Sequence, residues 1–152
     1  MILTVVAVGR TSDSSIDALW ERYAGRLKPR PTLRIVEDKR RAAAGELKHR
    51  EARLLLDALP TDGRVVVLDG RGKTLDSAGL ARQLGRWRDQ GTAGIAFVIG
   101  GADGLDDDVL ARADLVLSLG PMTWPHQLVR VMLAEQLYRA QTILSGHPYH
   151  RA

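Results

Sequence analysis

Residues 117–151 read LSLGPMTWPHQLVRVMLAEQLYRAQTILSGHPYHR, and the reading of the fold starts from them. An apolar run of strand length ends at Gly120-Pro121. A short loop, Met122-Thr123-Trp124-Pro125, follows it. From His126 to about Leu144 the pattern is helical and apolar nearly all round, as in a helix buried on several sides. The tail, Gly146-His147-Pro148-Tyr149-His150-Arg151, carries more rings than a frayed, polar terminus usually does. It is expected to fold back onto the protein.

Upstream, strands and helices alternate. Residues 2–8 (ILTVVAV), 32–36 (TLRIV), 64–68 (RVVVL), 94–99 (GIAFVI) and 115–119 (LVLSL) are apolar runs of strand length. Such runs fit strands covered on both faces. Between them lie helical patterns at 16–27, 46–59, 76–90 and 106–113, and the helix from His126 closes the series. Ser14-x-x-Asp17 reads as a capping box for the first helix, and Asp76 or Ser77 as the cap of the third. Residues 38–45 read as a mobile basic loop, and Asp69-Gly70-Arg71-Gly72 as a turn-rich loop ending the third strand. The order β-α repeated five times predicts a single-domain α/β fold over residues 1–152. Its sheet is parallel, with helices on both faces.

Composition excludes several classes. With no cysteine, there is no disulfide framework, thiol nucleophile or cysteine-based zinc site. No apolar run reaches the roughly 20 residues of a membrane span. The N-terminus has neither the basic region nor the cleavage site of a signal peptide. The expectation is a cytoplasmic protein with no membrane and no metal. Net charge is +4, unevenly spread. Between Arg22 and Arg53 stand eleven Lys/Arg against four Asp/Glu, a local +7, leaving −3 elsewhere. Such a segment suits a polyanion such as RNA, or equally a solvated helix face.

Ligands of open α/β sheets bind beyond the carboxyl ends of strands. Three strands here end in glycine-bearing loops: Leu68-Asp69-Gly70, Ile99-Gly100-Gly101 and Leu119-Gly120-Pro121. Together they suggest a pocket lined by main chain, suited to a nucleoside. No GxGxxG and no full phosphate-binding GxxxxGK[ST] loop occurs, so kinase, NTPase and nicotinamide readings lose support. His126 and Arg130 are i and i+4 at the start of the last helix and share a face. An arginine in so apolar a helix points to an anion or RNA contact. The apolar girth of this helix points to a two-fold dimer.

Met122-Thr123-x-Pro125-His126-x-Leu128-x-Arg130, then Glu135-Gln136-x-Tyr138-Arg139-Ala140, then Pro148-Tyr149-His150, strongly resembles the RlmH family. These are bacterial large-subunit rRNA pseudouridine N3-methyltransferases of the SPOUT superfamily. The likeness extends to Val6-Ala7-Val8-Gly9, Leu68-Asp69 with Gly72-Lys73, and Val98-Ile99-Gly100-Gly101 with Gly104, so it covers nearly the whole chain. Gly120, where a serine is expected, and Gly70, where an acid is common, depart from the pattern. The resemblance implies the SPOUT methyltransferase fold, with the C-terminal segment threading a trefoil knot. It implies S-adenosyl-L-methionine held by Leu68, Gly100 and the loop Leu119, Gly120, Pro121, Met122, Thr123 and Trp124. It implies a homodimer acting on 23S rRNA in the assembled 70S ribosome. The candidates for chemistry are His126, Arg130, Tyr149, His150 and Arg151. A tRNA methyltransferase of the same fold and a non-enzymatic ribosome-binding module are the alternatives.

Overall fold

The computed structural model describes residues 1–40 and 42–150. Five strands form one all-parallel sheet: β1 (Ile2–Val8), β2 (Thr32–Val36), β3 (Arg64–Thr74), β4 (Gly94–Ile99) and β5 (Leu115–Ser118). They alternate with α1 (Ser14–Ala24), α2 (Ala44–Asp57), α3 (Ser77–Asp89), α4 (Asp107–Arg112) and α5 (His126–Ser145). A short 3-10 turn, Pro148–His150, ends the described chain. The alternation is therefore as the apolar runs predict.

The two-residue period of a strand divides the core. Leu3, Val5 and Ala7 of β1 pack with Trp20 of α1, Leu84 of α3 and Leu137 of α5. Val6 and Val8 face the other way, onto Ala52 and Leu55 of α2 and Val109 of α4. Phe97, at the centre of β4, is wholly buried. Its truncation to alanine would cost about 3–5 kcal/mol.

Local details differ from expectation at two places, the cap of α1 and residues 69–72, and agree at the cap of α3. The N-cap of α1 is Asp13, whose carboxylate accepts from Ser15 N–H at 2.9 Å, in place of the Ser14–Asp17 box. Asp76, one of the two expected residues, caps α3 through Gly79 N–H. Residues 69–72 stay within β3, which runs to Thr74 and changes register against β5 between Leu68 and Lys73. Gly72 permits that path, since a Cβ there would lie 2.5 Å from the Val116 carbonyl oxygen.

The strand order is β2-β1-β4-β3-β5, so β5 is an edge. Yet α5 begins beside Gly9, at the far end of β1. The Arg130 guanidinium donates to Gly9 O at 3.0 Å, and Gln127 donates to Arg10 O at 3.2 Å. Three strand spacings, roughly 14 Å, separate β5 from β1. Residues 119–125 can span roughly 23 Å when extended. This segment therefore crosses the carboxyl ends of β3 and β4, and the crossing creates the site.

Candidate functional site: a cleft at the carboxyl ends of the strands

The crossing segment roofs a cleft of about 600 Å³. Leu68 and Asp69 of β3 form one wall, Ile99 through Gly101 after β4 another, and Leu119 through His126 the third. Leu117 and Leu105 add apolar floor. The volume lies in the range of small-ligand sites, and so does an apolar lining with main-chain polar groups. Leu68, Gly100, Leu119, Gly120, Pro121, Met122, Thr123 and Trp124, expected from separate loops, are brought together here.

Gly120 sits at φ +108°, where side chains are disfavoured, and a Cβ on it would enter open space. Ser118 holds this turn: its hydroxyl accepts from Gly120 N–H at 3.1 Å and lies 3.2 Å from Gly120 O. Gly100 has a different reason. A Cβ there would lie 2.8 Å from Leu105 Cγ and Cδ2, so the protein's own packing demands glycine. Met122 and Trp124 line the rim and remain 73% and 40% exposed, unusual for such large apolar groups.

The Asp69–Arg71 clamp was not anticipated from sequence. Arg71 donates to both Asp69 carboxylate oxygens and reaches Leu105 O at 3.2 Å. It thereby ties β3 to the loop after β4. The hydrogen bonds from Arg71 hold the Asp69 carboxyl below its ordinary range. The i, i+2 spacing of opposite charges on one strand face was the available signal.

His126, at the first position of α5, lines the cleft. Burial, and secondarily Arg130, push its pKa below the ordinary value, so the ring is neutral at pH 7. Arg130 itself does not line the cleft. It is 2% exposed, and no carboxylate among the described residues lies within salt-bridge distance of it. Its Nε has no partner there either. Burial pushes its pKa down, and only Asp17 on α1 opposes the shift. The expected anion-contacting arginine is thus an unpaired cation behind the wall, one turn from His126.

The tail folds back, as expected, but onto α5 and not into the cleft. Tyr149 O–H donates to Glu135 at 3.0 Å, and its ring lies 4.7 Å from that of Tyr138. Arg139 pairs with Glu135 and donates to His150 O at 3.4 Å. Burial and the Glu135 bond raise the Tyr149 pKa, so the hydroxyl stays protonated. Glu135 and Arg139 lie nine and thirteen residues beyond His126. At 1.5 Å per residue that places the tail roughly 14–20 Å along the helix from the cleft. Arg151 lies outside the described residues.

The +7 segment is divided between the two faces of the sheet, because α1 and α2 cover opposite sides. Part of it is neutralised locally: Arg30 pairs with Glu21, Arg40 with Asp38, and Arg50 with Asp38 and Glu46. Arg41 lies outside the described residues. One group has metal-ligand proximity, His49, Asp106 and Asp108. None of the three lines the cleft, and Asp106 is already engaged as the cap of α4 and by His49. Among the described residues no helix is long and apolar enough to cross a membrane.

Comparison with known proteins agrees with this architecture. The family model described as "Predicted SPOUT methyltransferase" matches residues 1–150. Ribosomal RNA large subunit methyltransferase H of Rhodospirillum centenum is 59% identical over 152 residues, covering all of both chains. The protein of the same name from Paramagnetospirillum magneticum is 52% identical over 151 residues, 99% of each. Among solved structures, a probable methylase family protein from Haemophilus influenzae superimposes with a TM-score of 0.58. It is 10% identical, and the match covers 99% of this chain and 70% of that one. The SpoU methyltransferase AviRb from Streptomyces viridochromogenes, solved with its cofactor AdoMet, gives 0.51 at 14% identity. That match covers 93% of this chain and 61% of AviRb.

Proposed function

Because the chain belongs to the SPOUT methyltransferase family, we propose that it methylates the RNA of the large ribosomal subunit, at N3 of a pseudouridine, with S-adenosyl-L-methionine as donor. The observation that carries the reading is the cleft roofed by residues 119–125. Its open space at Gly120, its apolar floor and its main-chain walls fit an adenosyl group. Leu68, Gly100 and residues 119–124 would hold the cofactor, which supplies an electrophilic methyl group. One domain, residues 1–152, does the work in the cytoplasm. Its C-terminal segment threads a trefoil knot, in keeping with a roof that passes over two strands before α5 begins.

The protein's own contribution is positioning and charge. Methyl transfer is a displacement, so the nitrogen must be held in line. The N3 proton must also leave. Neutral His126 on the cleft wall is able to accept it, and the buried Arg130 charge favours the nucleobase anion that results. Tyr149 and His150 stand too far along α5 to serve their own cleft, and Arg151 is assigned with them to the same chemistry. They serve the cleft of a second copy, which makes the homodimer necessary. Two features support this. His150 Nδ1 is buried without a partner among the described residues. A largely apolar groove of about 790 Å³ runs along α5 between α1 and the start of α3, past Leu19, Leu75 and Met132. The apolar girth of α5 is not itself the support, since Val131, Leu133, Ala134 and Leu137 are buried within their own chain.

The test is incubation of the purified protein and labelled S-adenosyl-L-methionine with 70S ribosomes from cells lacking it. Mass spectrometry of the 23S rRNA should locate one new methyl on a pseudouridine. Label in tRNA alone, or stoichiometric cofactor binding without turnover, would overturn the proposal.

A further inference from the structure

We infer that a second cavity, at the amino end of the sheet, seats a nucleotide of the RNA substrate flanking the one that is modified. The inference rests on the rRNA methyltransferase reading and deepens it. The cavity measures about 550 Å³ and opens where β1 begins, at the opposite pole from the cofactor cleft. Leu3, Leu84, Leu137 and Leu144 line its apolar part. Leu144 is 39% exposed there, a large apolar surface with nothing on it.

Its charge is one-sided. Arg26, Lys28, Arg88 and His147 line it, and no Asp or Glu does so among the described residues. The nearest acid bonded to this set is Asp89, which meets Arg88 at 3.2 Å with both side chains more than half exposed. Such a pair is weak in water. An apolar floor under a cationic mouth complements a nucleotide, with the base on the leucines and the phosphate between the arginines. Unstacked bases with phosphates held by Arg and Lys are how proteins read single-stranded RNA loops.

The cavity is held in shape. The Gln141 side-chain amide donates to Lys28 O at 2.7 Å and accepts from Lys28 N–H at 3.2 Å. That pair of hydrogen bonds fixes the segment after α1, so Arg26 and Lys28 flank the opening. The Arg26 guanidinium lies 5.6 Å from the centre of the Tyr138 ring. Tyr138 in turn packs against Tyr149 of the tail. The cavity therefore adjoins the segment assigned to a second copy's cleft. A base entering that cleft has its neighbours next to this mouth. RNA is the occupant in place of a free anion because the tail, which must meet the target base, forms the adjoining wall.

The test replaces Arg26 and Arg88 together by Gln, with Arg26→Lys and Arg88→Lys as the charge-preserving control. Filter binding to 70S ribosomes is measured across salt, beside kcat, KM for ribosomes, cofactor affinity and light scattering. Loss of two phosphate contacts should flatten the log–log salt slope by about 1.4, at roughly 0.7 per contact for single strands. KM should rise about tenfold, with kcat and cofactor affinity at parental values, and the lysine control should restore the salt slope and KM. Leu144→Asp, which leaves the arginines alone, should weaken ribosome binding likewise. Parental slope and KM in these variants would overturn the inference while leaving the methyltransferase reading intact. So would a fall confined to kcat. Wild-type protein that neither binds nor methylates ribosomes would overturn both.

Discussion

Replacing Arg130 by Met should leave the protein as stable as before, or more so, while impairing methyl transfer. Arg130 is 2% exposed and contributes one charge-assisted hydrogen bond, to Gly9 O at 3.0 Å. That bond is worth about 1.5–3 kcal/mol. Against it stands the burial of a guanidinium without a carboxylate, which costs on the order of several kcal/mol. Methionine fills similar volume and leaves no stranded charge. The balance is a change of about 0–3 kcal/mol in favour of the variant. For a chain of this size each kcal/mol moves the melting temperature by about 2–4 °C.

Two further readouts separate function from packing. The His126 pKa, followed by NMR, should rise in the variant, but not to its ordinary value, because burial is the larger cause of its depression. In the parent, the unfolded chain binds a proton at His126 at higher pH than the folded one does. Stability from this group is therefore full above about pH 6.5 and declines as pH falls below that value, and the variant should lose less. Turnover on ribosomes should drop at least tenfold, about 1.4 kcal/mol of transition-state stabilisation. A melting temperature lowered by 6 °C or more, about 3 kcal/mol by lower-end scaling, with unchanged His126 titration, would refute the reasoning and make Arg130 a structural clamp.

Glu51→Gln should stabilise the protein at pH 7. Burial, with Asp103 and Asp38 adding to it, raises the Glu51 pKa. The ionised group is therefore a burden above its folded pKa, and the gain should vanish in urea titrations below about pH 4.5. Gly120→Ala should lower cofactor affinity in calorimetry and cost about 1–2 kcal/mol through its positive φ. Gly100→Val should instead unsettle the loop against Leu105, so a lower melting temperature is expected with any loss of binding. Removing residues 149–152 should leave cofactor binding intact and reduce methyl transfer at least tenfold. Full activity in that truncation would exclude the tail from the chemistry.

The sequence by itself determined the alternation of strands and helices, the parallel sheet and the glycine loops that follow β4 and β5. Each of these is written in short-range periodicity and turn chemistry, as in Ile2–Val8 and Gly94–Ile99. The string from Met122 to His150 also carried the family resemblance, because the cleft's roof and the helix after it are contiguous in the chain. What only the tertiary structure decided is long-range. The order β2-β1-β4-β3-β5 cannot be read from local pattern, and it makes the roof cross two strands. The His126–Arg130 spacing gave one shared helix face, but contact with Gly9, 121 residues away from Arg130, buried one residue and left the other on the cleft wall. The same holds for the tail, whose rings announced contact while the length of α5 set it apart from its own cleft. Charge is the clearest case. The +7 segment is one block in sequence, yet the sheet divides it between two faces, and Arg88 of α3 joins Arg26 and Lys28 at the amino-end cavity.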